Sequence, residues 1–381
     1  MRPFGRREFL RLAAGSMAAL AVPGASAVAA TPRPTGPTGT PRPSPSPPPV
    51  PQGELRLLTS ADHWDPGVIR SLGAEDGIDV RVSPLWDDAE AHRRVVAGEV
   101  TPDLVTADGA WITRYRSDDL VAPIETEDLD VVAELFPMTL DLELLAAEDG
   151  LLGLPWSWSA LQVVCDPARL TAIPDSWEVL VDPRNRRRVV IDAQRLDLVL
   201  CAARAIGAAD PLAMTDAELA GATDWLARLR PNVRHIVRSR SDVVDLLASG
   251  ECTLALSALG MPDLVRDAGG PELVAFVPRE GTIGSLEAEV ALRGAPNAVR
   301  IPAWLDAAGA AEVAAASFLR DGRPLFNERA LRLLTDAGHG ERARRYLYDR
   351  PDTVLDLVLT GPGERPDDCL AAWASAFDEG A

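Results

Sequence analysis

The sequence predicts an α/β protein folded in two lobes, and three observations lead there. Strand and helix patterns alternate along most of the chain, as expected of mostly parallel sheets covered by helices on both faces. The stretch from Gly53 to Ala381 is long for one hydrophobic core, which favours two. An apolar run from Leu151 to Val164, broken by Pro155, reads as two strands crossing from one lobe to the other.

Residues 1–30 have the layout of an export signal. Arg2, Arg6 and Arg7 form a basic start, an apolar run extends from Leu12 to Val22, and small residues from Ala25 to Ala30 offer cleavage sites. Arg6-Arg7-Glu8-Phe9-Leu10 points to the twin-arginine route, which carries proteins already folded, although Gly5 stands where Ser or Thr is usual. The run falls short of the ~20 residues a membrane span needs. Residues 31–53 are almost entirely Pro, Thr, Ser and Gly; they bury too little to offset their ordering entropy and form an extended spacer. The expected location is periplasmic, extracellular or at the cell surface.

The elements follow in order. Leu55–Leu58 and Ile78–Val82 read as strands, and Asp65-Pro66 opens a helix through Ala74, with Asp as cap and Pro in the first turn. Asp87 to Ala97 is helical up to Gly98, and Asp103–Thr106 is a third strand. The second lobe starts with a strand at Arg188–Ile191 and helices at Leu196–Ile206 and Asp216–Arg228. Val233–Val237, Cys252–Leu256, Leu273–Val277 and Ala288–Leu292 read as strands, with a helix at Ser241–Leu247. Pro302–Leu319 reads as one long Ala-rich helix, and the remainder is mainly helical. The division expected is lobe 1 from 54–156 with about 288–325, and lobe 2 from 157–287 with about 326–381.

Composition excludes several classes of function. The net charge of −19 argues against nucleic acid, whose phosphates demand a basic surface. All 38 basic residues are Arg, so a phosphate-cradling loop ending in Lys, a Schiff-base lysine and a Ser-x-x-Lys nucleophile are impossible. His63, His92, His235 and His339 form no metal-ligating pair at helical spacing. No catalytic set, metal site or cofactor motif is expected, and the chain is read as not an enzyme. Cys165, Cys201, Cys252 and Cys369 allow three disulfide connectivities, or buried thiols.

Four segments carry a family resemblance in the right order. Ser176-Trp177, then Val181-Asp182-Pro183 and Arg188 to Asp192, is similar to a segment of the polyamine-binding proteins of bacterial ABC importers. Gly153-Leu154-Pro155-Trp156-Ser157-Trp158 resembles that family's first crossing strand. Phe276-Val277-Pro278-Arg279-Glu280-Gly281 and Ala291 to Asn297 resemble two further segments, and the likeness runs from about Glu54 to Leu319. The resemblance implies a periplasmic-binding-protein-like fold of type II: two α/β lobes, crossing strands, and a ligand cleft between them. It also implies an exported, monomeric substrate-binding component that closes over a small charged organic solute and delivers it to a permease and ATPase. A ligand-sensing protein without transport shares the fold, and an exported enzyme is a more distant alternative.

The family's ligand-binding positions carry over poorly. The Trp and Tyr after the first strand fall on Ser60 and His63, with Asp62 beside them. The Ser and Tyr after the third fall on Asp108 and Ala110, with Trp111 next in line. The Asp and Glu of the middle segment fall on Asp192 and Arg195, a charge reversal at the second. The second-lobe Trp falls on Ala258, and the Trp and Asp before the last crossing strand on Ser285 and Glu287. Either the cleft is rebuilt for another solute, zwitterionic or anionic, with Arg195 gripping it in bidentate fashion, or Trp111, Trp156 and Trp158 supply the aromatic wall after a shift of register. Core packing is an equally simple account of each Trp.

Overall fold

The computed structural model describes residues 53–60, 63–70, 77–148, 150–170 and 172–378. The export signal, residues 31–52 of the spacer and Asp62 lie outside them. The first sheet starts from β1 (Gly53–Ser60), parallel to both β2 (Ile78–Leu85) and β3 (Leu104–Asp108). Leu55, Leu57 and Leu58 of β1 are buried because parallel strands are covered on both faces. Helix α1 (Asp88–Val96) follows β2, capped by Asp87, whose side chain accepts the Glu90 N–H. Helix α2 (Ala110–Ser117) follows β3. Asp65 caps the expected helix start by accepting the N–H groups of Gly67 and Val68.

Strand β4 (Gly153–Ala160) belongs to this sheet, and β5 (Gln162–Cys165) to the second. The second sheet also holds β6 (Val189–Ile191), β7 (Val233–Ile236), β8 (Leu254–Ser257) and β9 (Val274–Phe276), in the order β9-β5-β8-β6-β7. Its helices are α3 (Arg195–Ala205), α4 (Asp216–Leu229), α5 (Arg240–Ala248) and α6 (Met261–Asp267). The chain returns through β10 (Ile283–Ala291), antiparallel to both β3 and β4. The sheets are therefore mixed: β5, β9, β4 and β10, the strands flanking the crossings, supply the antiparallel pairs.

The crossing falls at Leu161, beyond the division at 156/157 expected from the sequence. Pro155 sits inside β4, at the place where pairing with β10 shifts register between Glu287 and Ala288. The extra residue is Trp156, between Ser157 paired with Glu287 and Pro155 paired with Ala288, and Pro is tolerated beside such a break in the ladder. At the crossing the two strands hold each other: Leu161 N–H donates to the Ile283 carbonyl at 3.0 Å, and Thr282 Oγ1 to the Leu161 carbonyl at 2.6 Å.

The single helix expected over Pro302–Leu319 is two, α7 (Ile301–Gly309) and α8 (Ala311–Asp321). Ala310 between them is extended, and Glu134 caps the fresh N-terminus by accepting the Ala311 N–H at 2.7 Å. Helices α9 (Glu328–Asp336) and α10 (Gly340–Arg345) follow, then the short β11 (Val358–Leu359), parallel to β10, and α11 (Pro366–Phe377).

The lobes differ in extent from the expected division. Phe326, Ala330, Leu334, Ala343 and Tyr348 are buried in the core of the first sheet, because α9 packs against α8. Only α11 joins the second lobe, where Cys369 and Trp373 pack with α3 and α4. Cys165, Cys201, Cys252 and Cys369 are buried free thiols.

Candidate ligand cleft

Between the lobes lies a cavity of about 160 Å³ whose wall comes from both. Ser60 ends β1, Asp108 ends β3 and Asp192 follows β6; Trp86 and Asp88 stand where β2 turns into α1. Gln194 and Asp197 occupy the start of α3, and Arg238 and Arg240 the entry to α5. Carboxyl ends of parallel strands and amino ends of the following helices converge on one space, the place where α/β sheets bind ligands.

The acidic part of the wall is buried and short of cations. Asp88 accepts the Asp108 N–H at 3.2 Å and a bond from Gln194 Nε2 at 2.9 Å, while Asp108 accepts the Leu286 N–H at 2.7 Å. Burial pushes the Asp88 carboxyl up to about 8 against the lowering effect of these bonds, with Asp197 and Asp87 adding repulsion. Burial and the charges of Asp88, Glu287 and Asp197 likewise hold Asp108 well above the usual carboxylate range. Asp197 accepts the Thr360 hydroxyl, yet burial raises it to about 7.

Glu287 behaves in the opposite way. Its burial would raise it, but Arg323 and His63, with hydrogen bonds from Ser157 and Arg323, outweigh that and bring it down to about 2. The Arg323 Nη1–Glu287 Oε1 distance is 2.7 Å. Asp192 accepts the Ser257 hydroxyl at 2.9 Å. Arg240 Nη2 donates to the carbonyls of Leu259 and Asp321 at 2.6 and 2.8 Å. Arg238 places its guanidinium carbon 4.1 Å from the centre of the Trp86 ring.

Of the residues singled out in the sequence, Ser60, Asp108, Asp192, Ala258, Ser285 and Glu287 line this cavity. Asp62 falls outside the described residues. His63 is fully buried behind the wall, its Nε2 3.1 Å from Glu289 Oε1 and its Nδ1 3.7 Å from Glu287 Oε2. The three Trp do not reach the cavity. Trp156 packs against Trp64 with ring centres 4.6 Å apart, Trp158 is buried in the first core, and Trp111 lies 5.6 Å from His92. Trp156 and Trp158 are two apart on β4 and share the face turned to the core.

Arg195 is also placed differently from the expected ligand contact. It reaches back to lobe 1, where Nε and Nη2 meet the Asp87 carboxylate at 2.6 and 3.1 Å. Its guanidinium carbon lies 4.9 Å from the Trp86 ring centre and 5.9 Å from that of Trp373. The buried acid cap of one helix thus occupies two donors of the Arg195 fork.

Trp86, Asp88, Asp197, Arg238, Arg240 and Arg323 line the cavity without having been singled out in the sequence. Trp86-Asp87-Asp88, wedged between a strand end and a helix start, carried a usable signal. Arg323 carried none, since it lies beyond the end of α8 and only the tertiary fold brings it to Glu287.

Two α/β lobes joined by crossing strands, with a charged cavity between them, define a two-lobed binding protein. The chain belongs to the bacterial extracellular solute-binding protein family, whose family model matches residues 68–320. It is 23% identical over 250 residues to the putrescine-binding periplasmic protein PotF of Escherichia coli (strain K12), a match spanning 61% of this chain and 66% of that one. Among solved structures it is similar to a spermidine/putrescine ABC transporter protein from Listeria monocytogenes: TM-score 0.74, 20% identity, 85% of this chain and 97% of that one. The Tp0655 (TpPotD) lipoprotein of Treponema pallidum gives a TM-score of 0.67 at 14% identity, over 85% and 99% of the two chains.

Proposed function

We propose that this chain is the exported substrate-binding component of an ABC-type importer, capturing a small charged organic solute and presenting it to a permease and ATPase. One observation carries the reading: the cavity wall is shared between the two lobes, so a bound solute touches both and favours their closure. The named relatives include a putrescine-binding protein and a spermidine/putrescine transporter protein, which supports transport of an amine-bearing solute. The twin-arginine pattern supports export of the folded chain, to act in the periplasm or at the cell surface. A wall of charged and polar side chains drawn from both lobes suits capture of a charged solute.

The test is a thermal-shift screen of the protein against polyamines, amino acids, dicarboxylates, sugars and phosphates. A true ligand raises the melting temperature by mass action, about 2.7 kcal/mol of stabilisation at a hundredfold excess over its Kd. Turnover of a solute, with no solute stabilising the fold, would remove the assignment.

A further inference from the structure

The cleft joins an acidic pole to an arginine of unusual standing. The chain carries 57 Asp and Glu against 38 basic residues, so an arginine at the surface readily finds a carboxylate. At the cleft Arg195 has Asp87 and Arg323 has Glu287. Arg238 is different. It is exposed, lines the cavity, and among the described residues meets no carboxylate and donates no hydrogen bond; its one contact of note is the face of Trp86, across the cleft. Cation–π contact steadies a guanidinium without consuming its N–H donors. The fork is thus held in place by an indole and left to bind an acceptor in the cavity.

At the other pole Asp88 and Asp108 are buried, adjacent to each other, and without an ion-pair partner among the described residues. An ammonium placed against such carboxyls favours their ionised form and supplies the cation they lack.

We infer that Arg238 binds an anionic group of the ligand while Asp88 and Asp108 face its cationic end, so the cleft takes a zwitterionic solute with separated charges, not a plain polyamine. This rests on the cleft being the solute site. Trp86 then serves as the support of Arg238. The anion contact falls to Arg238 because Arg195 is already occupied by Asp87.

Calorimetric titration of the full chain tests this with 4-aminobutanoate and L-arginine as zwitterions, 1,4-diaminobutane and spermidine as polycations, and butanedioate as dianion. The expected result is tighter binding of a zwitterion than of either polycation, with Arg238→Gln weakening it by about tenfold or more, as loss of a charge-assisted pair does. Arg238→Lys should restore part of the loss. The melting temperature of unliganded Arg238→Gln should match the parent, since the side chain is exposed. A polycation bound more tightly, and equally by parent and Arg238→Gln, overturns the inference while leaving the solute-binding reading intact. Binding of none of the five overturns it too, and failure of the wider thermal-shift screen as well would take the solute-binding reading with it.

Discussion

Asp88 and Gln194 exchange two hydrogen bonds across the cleft: the Asp88 N–H donates to Gln194 Oε1, and Gln194 Nε2 donates to Asp88 Oδ2, both at 2.9 Å. Each residue stands at the amino end of a helix, α1 in lobe 1 and α3 in lobe 2. A first-turn N–H has no partner within its own helix, so a partner from the opposite lobe satisfies it only when the lobes meet. The pair therefore acts as a gauge of closure.

Gln194→Leu removes both bonds, leaving the Asp88 N–H and Oδ2 without these partners while Oδ1 keeps the Asp108 N–H. The closed state should lose about 1–3 kcal/mol, and ligand affinity should fall with it, whichever solute is used. Titration of the parent and variant with the same solute reads this directly. Unchanged affinity would mean that the two bonds also form in the open state or carry no weight.

The Asp87–Arg195 pair makes a separate prediction. It joins the same two helix starts, with Asp87 also capping α1. Arg195→Ala should speed ligand release by a few-fold to about tenfold, since a charge-assisted bridge is lost from the closed form. Cationic, anionic and zwitterionic ligands should suffer alike, because Arg195 touches the other lobe and not the solute. Stopped-flow release rates decide it; a loss confined to anionic ligands would return Arg195 to the binding site.

These two helix starts show what the sequence disclosed. The strand–helix order is legible because apolar period and helix starts such as Asp65-Pro66 are local signals. Six of the cavity residues were placed by family position. Arg195 reads as a ligand contact in the sequence and meets Asp87 in the structure, because a charge reversal looks the same whether its partner is a ligand or an aspartate more than a hundred residues away. The Trp pair on β4 was ambiguous for a like reason: alternation tells which residues share a face, not which face meets the cleft.

Acid–base behaviour should report the buried carboxyls. Unfolded aspartates titrate near 4, while Asp197 is raised to about 7 and Asp88 to about 8, with Asp87, Asp108 and Glu287 the other carboxyls nearby. The folded state therefore binds more protons than the unfolded one between these values. Their contribution to stability is fully present below about pH 4 and is lost as pH rises through about 7 and then about 8. Asp197→Asn keeps an acceptor for Thr360 but has no proton to lose. Its melting temperature should gain on the parent between pH 5 and pH 8.5. Parallel melting curves for the two proteins across that range would refute the assignment.

Closure also needs two glycines. Gly260, at the start of α6 in lobe 2, and Gly322, at the end of α8 in lobe 1, touch backbone to backbone, and both have positive φ, +97° and +73°. A Cβ on Gly260 would stand 2.7 Å from the Gly322 Cα, a distance that real contacts do not reach, so something must move. The neighbour is backbone and cannot swing aside; the lobes must part. Gly260→Ala should therefore weaken ligand binding and keep the radius of gyration of the liganded protein, measured by X-ray scattering, near its unliganded value. Positive φ adds a local penalty of its own, about 1 kcal/mol. Gly98→Ala separates the two effects: Gly98 has φ +67° but a Cβ there meets nothing within 4 Å. It should lower the melting temperature by a comparable amount and leave affinity and scattering untouched. Equal loss of affinity in both variants would reduce the Gly260 effect to backbone strain alone.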